Sequence, residues 1–268
     1  MTWNVVRDDD DAAPGHDLAA RRRERLGLII ESRGGARLEE LSTALGVSQA
    51  TVRRDLEALA STGRVRRVHG GAVAVDQRLD EPHFDVKAVV AAAEKQRIAA
   101  RAVELLRPDD TVYLDSGSTV LGVARLLHGW SRLTVVTNSL PAAAELVGRG
   151  PRLIVIGGEL RATSRALVGP LTRLLLAELH VDRALMGTFA LSLDGGPTTT
   201  DPSEAYTKQL VMSRAREVIL LADSTKMGMH SFVGAGSLDD VDILVTDRGI
   251  DDRLARTLKR RGVRVVTA

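Results

Sequence analysis

The sequence predicts a two-domain α/β protein, in which a small, basic, helical domain precedes a larger domain built on a mostly parallel sheet. Three observations support this prediction. The chain has 268 residues, more than one modest core usually needs. Residues 19–75 hold eleven arginines and six acidic residues, a charge of +5, whereas residues 76–268 carry +1. Beyond residue 110, short apolar segments alternate with helical patterns, as in parallel sheets covered on both faces.

The composition is that of an ordinary globular protein, with 44% hydrophobic and 27% charged residues. No run of about 18 apolar residues occurs, so no membrane span is expected. The N-terminal segment lacks the basic-then-apolar order of a signal peptide, and the chain has no cysteine. We therefore expect a cytoplasmic protein, and nothing in the sequence predicts a cofactor or a metal site. Residues 1–18, with five aspartates and one arginine, are predicted to form a disordered acidic tail.

The basic segment over 19–75 predicts three short helices followed by two strands. The apolar faces comprise Leu26, Ile29 and Ile30 in the first helix, Leu38, Leu41 and Leu45 in the second, and Val52, Leu56 and Leu59 in the third. Gly46 ends the second helix and Ser48 is a good N-cap for the third. This short link is typical of a helix-turn-helix. Valines at 65–68 and 73–75 predict the two strands of a wing around the turn Gly70-Gly71.

The third helix has an exposed arc suited to DNA. At about 100° per residue, Ala50 and Arg54 point away from the apolar face, and Thr51 and Arg53 flank them. A recognition helix brings small, hydroxyl and guanidinium side chains of this kind into the major groove. The predicted DNA contacts on the helix and wing are Ser48, Gln49, Ala50, Thr51, Arg53, Arg54, Arg66, Arg67 and His69. The alternatives are a solvated basic face and, for His69, a structural hydrogen bond.

The larger domain is predicted over 94–268, after a linker over 76–93 that leads into its first helix. Seven apolar segments predict its strands: Thr111–Leu114, Leu133–Thr137, Leu153–Ile156, Ala184–Met186, Val218–Leu221, Ile243–Val245 and Val263–Val266. Because these segments are short and do not alternate with polar residues, each is expected to be buried on both faces. Their alternation with helices predicts a Rossmann-like, mostly parallel α/β domain.

In such a sheet, ligands bind beyond the C-terminal ends of the strands. Asp115–Thr119 follows the first strand, and Gly117 there lets successive amides point toward an anion, with hydroxyls and the start of the next helix adding to the attraction. Asp115 itself would repel a phosphate, so we expect it against a sugar hydroxyl or backbone amides. The predicted ligand contacts are Asp115, Ser116, Gly117, Ser118, Thr119, Asn138, Ser139, Gly157, Gly158, Arg161, Lys208 and Lys226.

Two of these contacts are lysines in a chain that strongly favours arginine. Only five of the 37 basic residues are lysine, and a compact ammonium at a phosphate is a reason to keep one. Simpler interpretations remain. Asp115–Thr119 could be a tight turn with a helix cap, Gly157-Gly158 could be only a turn, and Glu204 with Lys208 could be a surface ion pair at i, i+4.

Two stretches, "VSQATVRRDLEAL" and "RRVHGGAV", resemble the DNA-binding signature of the DeoR-type bacterial transcriptional repressors. The body carries "EKQRIA", "LDSGST", "VVTNSL", "GGELR" and "LADSTKMG" in the order of that family. One departure is Ser42, where the family usually has alanine; the residue stays small, so the packing of the two helices should survive. The resemblance implies a regulator of sugar metabolism genes that binds operator DNA and a phosphorylated sugar effector, as a homodimer or homotetramer.

The body also resembles ribose-5-phosphate isomerases, through the Gly-Ser-Thr at 117–119 and the "ADSTK" that ends at Lys226. Those enzymes place proton-transferring carboxylates on a segment that here appears as "MGTFA", residues 186–190. Methionine, phenylalanine and alanine cannot act as a base. The resemblance therefore implies binding without catalysis. A phosphosugar isomerase-like enzyme with an attached DNA-binding head remains the alternative, and a nucleoid-type DNA binder with a vestigial body is a further one.

Overall fold

The computed structural model of the chain describes residues 14–33, 35–61, 63–74 and 81–268. The chain divides into two compact units, Met1–Asp76 and Gln77–Ala268. No helix among the described residues is long and apolar enough to cross a membrane.

The first unit is a winged helix-turn-helix. Its elements are α1 (Pro14–Arg33), β1 (Gly35–Arg37), α2 (Leu38–Leu45), α3 (Gln49–Ser61), β2 (Val65–Val68) and β3 (Gly71–Ala74). The three strands form an antiparallel sheet in the order β1-β3-β2. The turn predicted at Gly70-Gly71 lies one residue earlier, because Gly71 already pairs with Val68. Helix α1 begins inside the segment predicted as an acidic tail, whose first thirteen residues lie outside the described ones.

The apolar residues predicted for the three helices do form the core of this unit, in which Leu26, Ile30, Leu41 and Val52 are fully buried. Gly46 ends α2 with a left-handed φ of 65°. Across the same turn the Ser42 hydroxyl donates to the carbonyl of Val47 at 2.6 Å. The serine at this position therefore adds a hydrogen bond to the turn without disturbing the helices.

The second unit contains the larger sheet and the helices that cover it. Its helices are α4 (Phe84–Val89), α5 (Ala92–Val103), α6 (Ser118–Leu126), α7 (Leu140–Leu146), α8 (Arg173–Leu176), α9 (Pro202–Met212) and α10 (Asp252–Arg260). Its strands are β4 (Thr111–Leu114), β5 (Thr134–Thr137), β6 (Arg152–Val155), β7 (Glu159–Arg161), β8 (Ala166–Val168), β9 (Val181–Gly187), β10 (Ala190–Ser192), β11 (Gly196–Thr199), β12 (Ala215–Leu221), β13 (Val233–Gly234), β14 (Ile243–Thr246) and β15 (Arg264–Thr267).

Seven of these strands form one parallel sheet in the order β15-β14-β12-β9-β4-β5-β6, which confirms the predicted fold. Each contains most of one predicted apolar segment. Successive residues of a strand enter different cores: Val112 and Leu114 of β4 pack in one apolar cluster, whereas Tyr113 packs in the other. Burial on both faces explains the apolar runs of the inner strands, but the prediction is wrong for the edge strand β6, whose Val155 is 42% exposed because no strand pairs beyond it among the described residues.

Two features of this unit are absent from the sequence-based prediction. The first is a pair of small antiparallel elements, the hairpin β7–β8 and the sheet β10-β11-β13. The second is the packing of residues 81–93, which the sequence assigns to a linker. Phe84 of α4 is buried, and its amide donates to the carbonyl of Thr163 at 2.9 Å. The later part of the predicted linker is thus a packed element of the second unit.

Candidate functional site

The surface of the first unit that the sequence predicts to contact DNA is formed by the start of α3 and by the wing. Arg53 and Arg54 are exposed on α3, and Thr51 is half-buried, with its amide donating to the Ser48 hydroxyl at 3.2 Å. The other predicted contacts are also exposed: Ser48, Gln49, Ala50, Arg66, Arg67 and His69. Arg53, Arg67 and His69 line one groove between α3 and the wing. The structure therefore brings the helix and wing residues to a shared surface.

Charge pairing differs among the arginines of this unit. Arg22 of α1 binds Asp55 of α3 through two hydrogen bonds of 2.5 and 3.1 Å, and the hydrogen bond to this carboxylate raises the pKa of Arg22. Arg67 pairs with exposed Glu57 at 2.9 Å. Arg53 and Arg54 form no ion pair with any described residue. Arg22 therefore holds helices together, while Arg53 and Arg54 keep their donors available to a phosphate or a base edge.

The second unit has a polar pocket, hereafter the pocket, at the C-terminal ends of β4, β9 and β12. Its described lining comprises Glu81, Lys87, Ser116, Gly117, Ser118, Thr119, Val120, Ser164, Gly187, Thr188, Phe189, Glu204, Lys208, Leu221 and Lys226. Six predicted ligand contacts are among these residues, namely Ser116 to Thr119, Lys208 and Lys226. The location agrees with the rule that places ligands beyond the strand ends.

The loop between β4 and α6 is open toward an anion. Gly117 is the N-cap of α6, has a φ of 130° and supplies no side-chain cap to the helix. The first amides of a helix have no partner within the helix, so those of α6 are free to bind a negatively charged group. The Ser118 hydroxyl donates to the carbonyl of Lys87 at 3.2 Å, which connects the loop to α4.

Asp115 lies under the loop rather than among the lining residues. Its carboxylate accepts a hydrogen bond from the amide of Gly187 at 2.9 Å and forms a salt bridge with Lys208. The predicted contact with a backbone amide is therefore present. Because both charges of this pair are almost completely buried, the salt bridge joins β4, β9 and α9 beneath the pocket.

Glu204 and Lys208 of α9 are buried, with relative exposures of 6% and 4%, so the alternative interpretation of the two residues as a surface ion pair is wrong. Their charged atoms lie 3.6 Å apart. Burial lowers the pKa of Lys208, but the carboxylates of Asp115 and Glu204 outweigh burial and raise it. Burial raises the pKa of Glu204 in spite of the charge of Lys208.

Arg161 lies outside the described lining and forms salt bridges with three carboxylates. It pairs with Glu81 at 2.7 Å, Glu204 at 3.1 Å and Asp201 at 3.4 Å. Glu81 also forms a salt bridge with Lys87. Burial would raise the pKa of Glu81, but Lys87, Thr200 and Arg161 together lower it to about 2. Glu81 is thus a charged carboxylate in the lining of the pocket, and Arg161 neutralises it together with Asp201 and Glu204.

Lys226 differs from the other cations of the pocket. Its ammonium donates to the carbonyl of Thr188 at 2.7 Å and forms no salt bridge within the described residues. Burial lowers the pKa of Lys226 to about 8, against the raising effect of Asp223. A desolvated ammonium without a carboxylate partner is suited to an incoming phosphate, which would supply the missing negative charge.

Besides Asp115 and Arg161, four predicted contacts lie outside the described lining and contribute to the fold. The hydroxyl of Ser139 caps α7 by accepting from the amide of Ala142 at 3.3 Å. Asn138 donates from its side chain to the carbonyl of Leu167 at 3.0 Å, which holds the β7–β8 hairpin. Gly157 and Gly158 connect β6 to β7, and a Cβ at the second position would stand 2.8 Å from the carbonyl of Val168.

The sequence-based prediction missed several pocket residues, among them Glu81, Lys87, Ser164 and Glu204. The rarity of lysine could have revealed one of them. Lys87, Lys208 and Lys226 all line the pocket, and the ammonium of Lys95 donates to the carbonyl of Lys87 at 2.5 Å. Four of the five lysines in the chain thus lie at the pocket or directly behind it.

Comparison with known proteins identifies both units. Residues 22–78 match the family described as DeoR-like helix-turn-helix domain, and residues 90–248 match the DeoR C terminal sensor domain. The HTH-type transcriptional regulator GlpR of Haloferax volcanii is 37% identical over 249 residues, covering 93% of this chain and 98% of that protein. The Glycerol-3-phosphate regulon repressor of Escherichia coli is 33% identical over 220 residues, covering 82% and 87%.

A solved structure of ribose 5-phosphate isomerase A from Methanocaldococcus jannaschii is 19% identical with a TM-score of 0.37, covering 50% of this chain and 53% of that one. The first family match covers the winged helix-turn-helix, and the second lies in the unit that contains the parallel sheet and the pocket. The chain belongs to the DeoR family of DNA-binding transcriptional regulators.

Proposed function

We propose that the protein represses carbohydrate-metabolism genes and that a phosphorylated sugar in the pocket changes its affinity for operator DNA. The observation that carries this proposal is the presence, on one chain, of a surface on which Arg53 and Arg54 have no ion-pair partner among the described residues and of a pocket suited to an anion. Relatives support the class of effector through their names, which include a glycerol-3-phosphate regulon repressor and the lactose phosphotransferase system repressor of Staphylococcus epidermidis, 33% identical over 230 residues.

The phosphate is proposed to bind at Ser116–Thr119, with Lys226 as its cation. The amides at the start of α6 have no side-chain cap, and the ammonium of Lys226 has only a backbone carbonyl as partner. Lys208 and Arg161 act beneath the ligand, because each already neutralises buried carboxylates. Asp115 is proposed to keep Lys208 in place rather than to touch the phosphate.

The regulation is a linked equilibrium. A sugar phosphate that binds one conformation more tightly than another shifts the population toward that conformation. The free energy by which the sugar phosphate changes DNA binding equals the free energy by which DNA changes sugar-phosphate binding. We further propose that the protein works in the cytoplasm as a homodimer or homotetramer, since paired recognition helices read paired half-sites.

Fluorescence anisotropy with labelled promoter DNA tests this function at fixed salt concentration. The protein is titrated alone and with glycerol 3-phosphate, fructose 1-phosphate, glucose 6-phosphate and ribose 5-phosphate. We expect at least one sugar phosphate to change the DNA affinity about tenfold or more, within the usual range of allosteric coupling. A DNA affinity indifferent to every compound would instead favour a nucleoid-type binder with a vestigial pocket.

One observation favours a second candidate, an isomerase-like enzyme. Segment 186–190 contributes Gly187, Thr188 and Phe189 to the pocket and no carboxylate, but Glu204 lines the pocket from α9. Since burial raises the pKa of Glu204, it has one property of a general base. Turnover of ribose 5-phosphate by the pure protein, abolished in Glu204→Gln, would establish the enzyme. The absence of turnover together with intact binding would leave the sensor.

A further inference from the structure

Ser164 has a buried hydroxyl without a hydrogen-bond partner. The residue is 2% exposed and lines the pocket. Three other buried side-chain polar atoms among the described residues also lack a partner, on Tyr113, Asn138 and Thr246, but none of these residues is among the described lining. A buried hydroxyl that bonds nothing destabilises the fold. Because Ser164 lines the pocket, a bound ligand can supply the missing hydrogen-bond partner.

The turn that carries Ser164 is held firmly in place. It connects β7 to β8, and its neighbour Thr163 accepts the amide of Phe84 at 2.9 Å. Arg165 pairs with Asp85 at 2.5 Å, and its guanidinium lies 5.4 Å from the centre of the Phe84 ring. These three contacts fix the turn against α4, so that Ser164 has a defined position before any ligand arrives.

Backbone strain marks the same turn. Arg165 has a φ of 54°, in the left-handed region that residues other than glycine rarely adopt. Such strain persists only where surrounding contacts hold it, and it occurs preferentially at ligand sites. The amide of Leu140 donates to the carbonyl of Arg165 at 3.1 Å, which adds α7 to the elements that hold the turn.

The chemistry around Ser164 differs from that of the phosphate loop. Ser164 comes from the β7–β8 hairpin, whereas the uncapped amides of α6 follow a strand of the main sheet. A neutral hydroxyl is a poor partner for a phosphate compared with Lys226, but it matches another hydroxyl, because each group both donates and accepts. A single polar group of this kind discriminates strongly between ligands that have and lack its partner.

We infer that Ser164 hydrogen-bonds a hydroxyl group on the sugar part of the ligand and thereby distinguishes a sugar phosphate from inorganic phosphate. This inference rests on the proposed function, since it assumes that the phosphate occupies the loop at Ser116–Thr119. Ser164 is then a specificity-determining residue that contributes to binding and nothing to the stability of the free protein.

The test compares Ser164→Ala with Thr246→Val, a matched control. Thr246 also has a buried hydroxyl without a partner, but it lies at the end of β14, outside the described lining. Each variant is examined by calorimetry with inorganic phosphate and with the tightest-binding of the four sugar phosphates named above. Melting temperatures without ligand are expected to stay the same or rise in both variants.

We expect Ser164→Ala to lower the affinity for the sugar phosphate about tenfold and to leave the affinity for inorganic phosphate unchanged. In a series of deoxy analogues, removal of one particular hydroxyl should lower the affinity of the wild type but not that of Ser164→Ala. Thr246→Val should change neither affinity. Unchanged sugar-phosphate affinity in Ser164→Ala overturns the inference and makes the hydroxyl a solvated one. The same follows if no sugar phosphate binds more tightly than inorganic phosphate. Lys226→Ala separates the two levels, because unchanged phosphate binding there contradicts the proposed function itself.

Discussion

The two units use their basic residues in opposite ways. In the described part of the first unit every basic side chain with a permanent charge is an arginine, and Arg53, Arg54 and Arg66 are exposed. In the pocket of the second unit the cations are lysines, and Lys208 is almost completely buried. Exposure leaves the arginine charges hydrated, whereas burial lowers the pKa of Lys95 and of Lys226.

This difference follows from what each cation is asked to do. Arginine stays charged in any environment and offers a planar set of donors that fits phosphates and guanine edges. Lysine is a point charge whose protonation responds to burial and to a new anion. Exposed arginines therefore stay charged in water and can bind DNA. A lysine whose pKa is lowered by burial can change its protonation when a phosphate binds. Five variants, in four experiments, test the roles assigned to these cations and to Ser139.

The largest effect is expected for Lys208→Met. Removing the ammonium leaves the carboxylates of Asp115 and Glu204 buried without it, so the free energy of unfolding should fall by about 3–5 kcal/mol. Urea unfolding followed by the fluorescence of Trp130, in a Trp3→Phe background, measures the second unit. Lys259→Met, at an exposed position of α10, is the control and should change little. A loss below about 1 kcal/mol would mean that the pair is not buried in solution.

The next effect concerns Arg53 and Arg54. Arg54→Ala and Arg53→Ala should each weaken operator binding by about 1–3 kcal/mol, since a guanidinium contact to a base edge or phosphate is lost. Titrations at several salt concentrations separate the two roles: loss of a phosphate contact reduces the salt slope by about 1, whereas loss of a base contact relaxes specificity. Arg33→Ala, exposed at the end of α1, is the control. Wild-type affinity in both variants would exclude α3 as the recognition helix.

A smaller effect is the pH dependence of Lys226. Its folded pKa of about 8 lies below the ordinary 10.5, so burial disfavours the charged form. This cost to stability is fully present below pH 8 and is relieved as the pH rises from about 8 toward 10.5. Phosphate binding needs the charged form, so phosphate affinity should fall above about pH 8, by up to about 1.4 kcal/mol per pH unit.

Calorimetry in two buffers of different ionisation enthalpy measures the accompanying proton. At pH 8.5 or so, phosphate binding should take up protons in the wild type. Lys226→Arg should bind without this uptake, because arginine is already charged. Phosphate affinity that is constant between about pH 7 and 9.5 would show that Lys226 is not the cation.

The smallest effect is expected for Ser139→Ala. Loss of the α7 cap should cost about 1 kcal/mol of stability and leave sugar-phosphate affinity unchanged. Thermal unfolding and calorimetry on the same sample measure both quantities. The opposite result, weaker sugar-phosphate binding with unchanged stability, would show that Ser139 contacts the ligand, as the sequence predicts.

The sequence predicts what is local. Each strand of the main sheet contains a short apolar run, and the loop at 115–119 directly follows one of them, so both can be predicted without knowledge of the rest of the chain. Glu81 and Lys87 could not be predicted in this way, because they precede every strand of that sheet and reach the pocket only through the packing of α4. Strands β7 and β8 have three residues each, too few for a periodic signal.

The gathering of lysines has a practical consequence for observing this protein. Lys87, Lys95, Lys208 and Lys226 lie at or behind the pocket, and only Lys259 lies on an exposed helix surface elsewhere. Reductive methylation with ¹³C-formaldehyde would therefore give few side-chain labels, and every labelled lysine other than Lys259 would lie at or behind one cavity. Lys226, with its lowered pKa, supplies the neutral amine that such chemistry requires at mild pH. A handful of methyl resonances would then report ligand occupancy in a protein of 28.8 kDa, without assignment of its backbone.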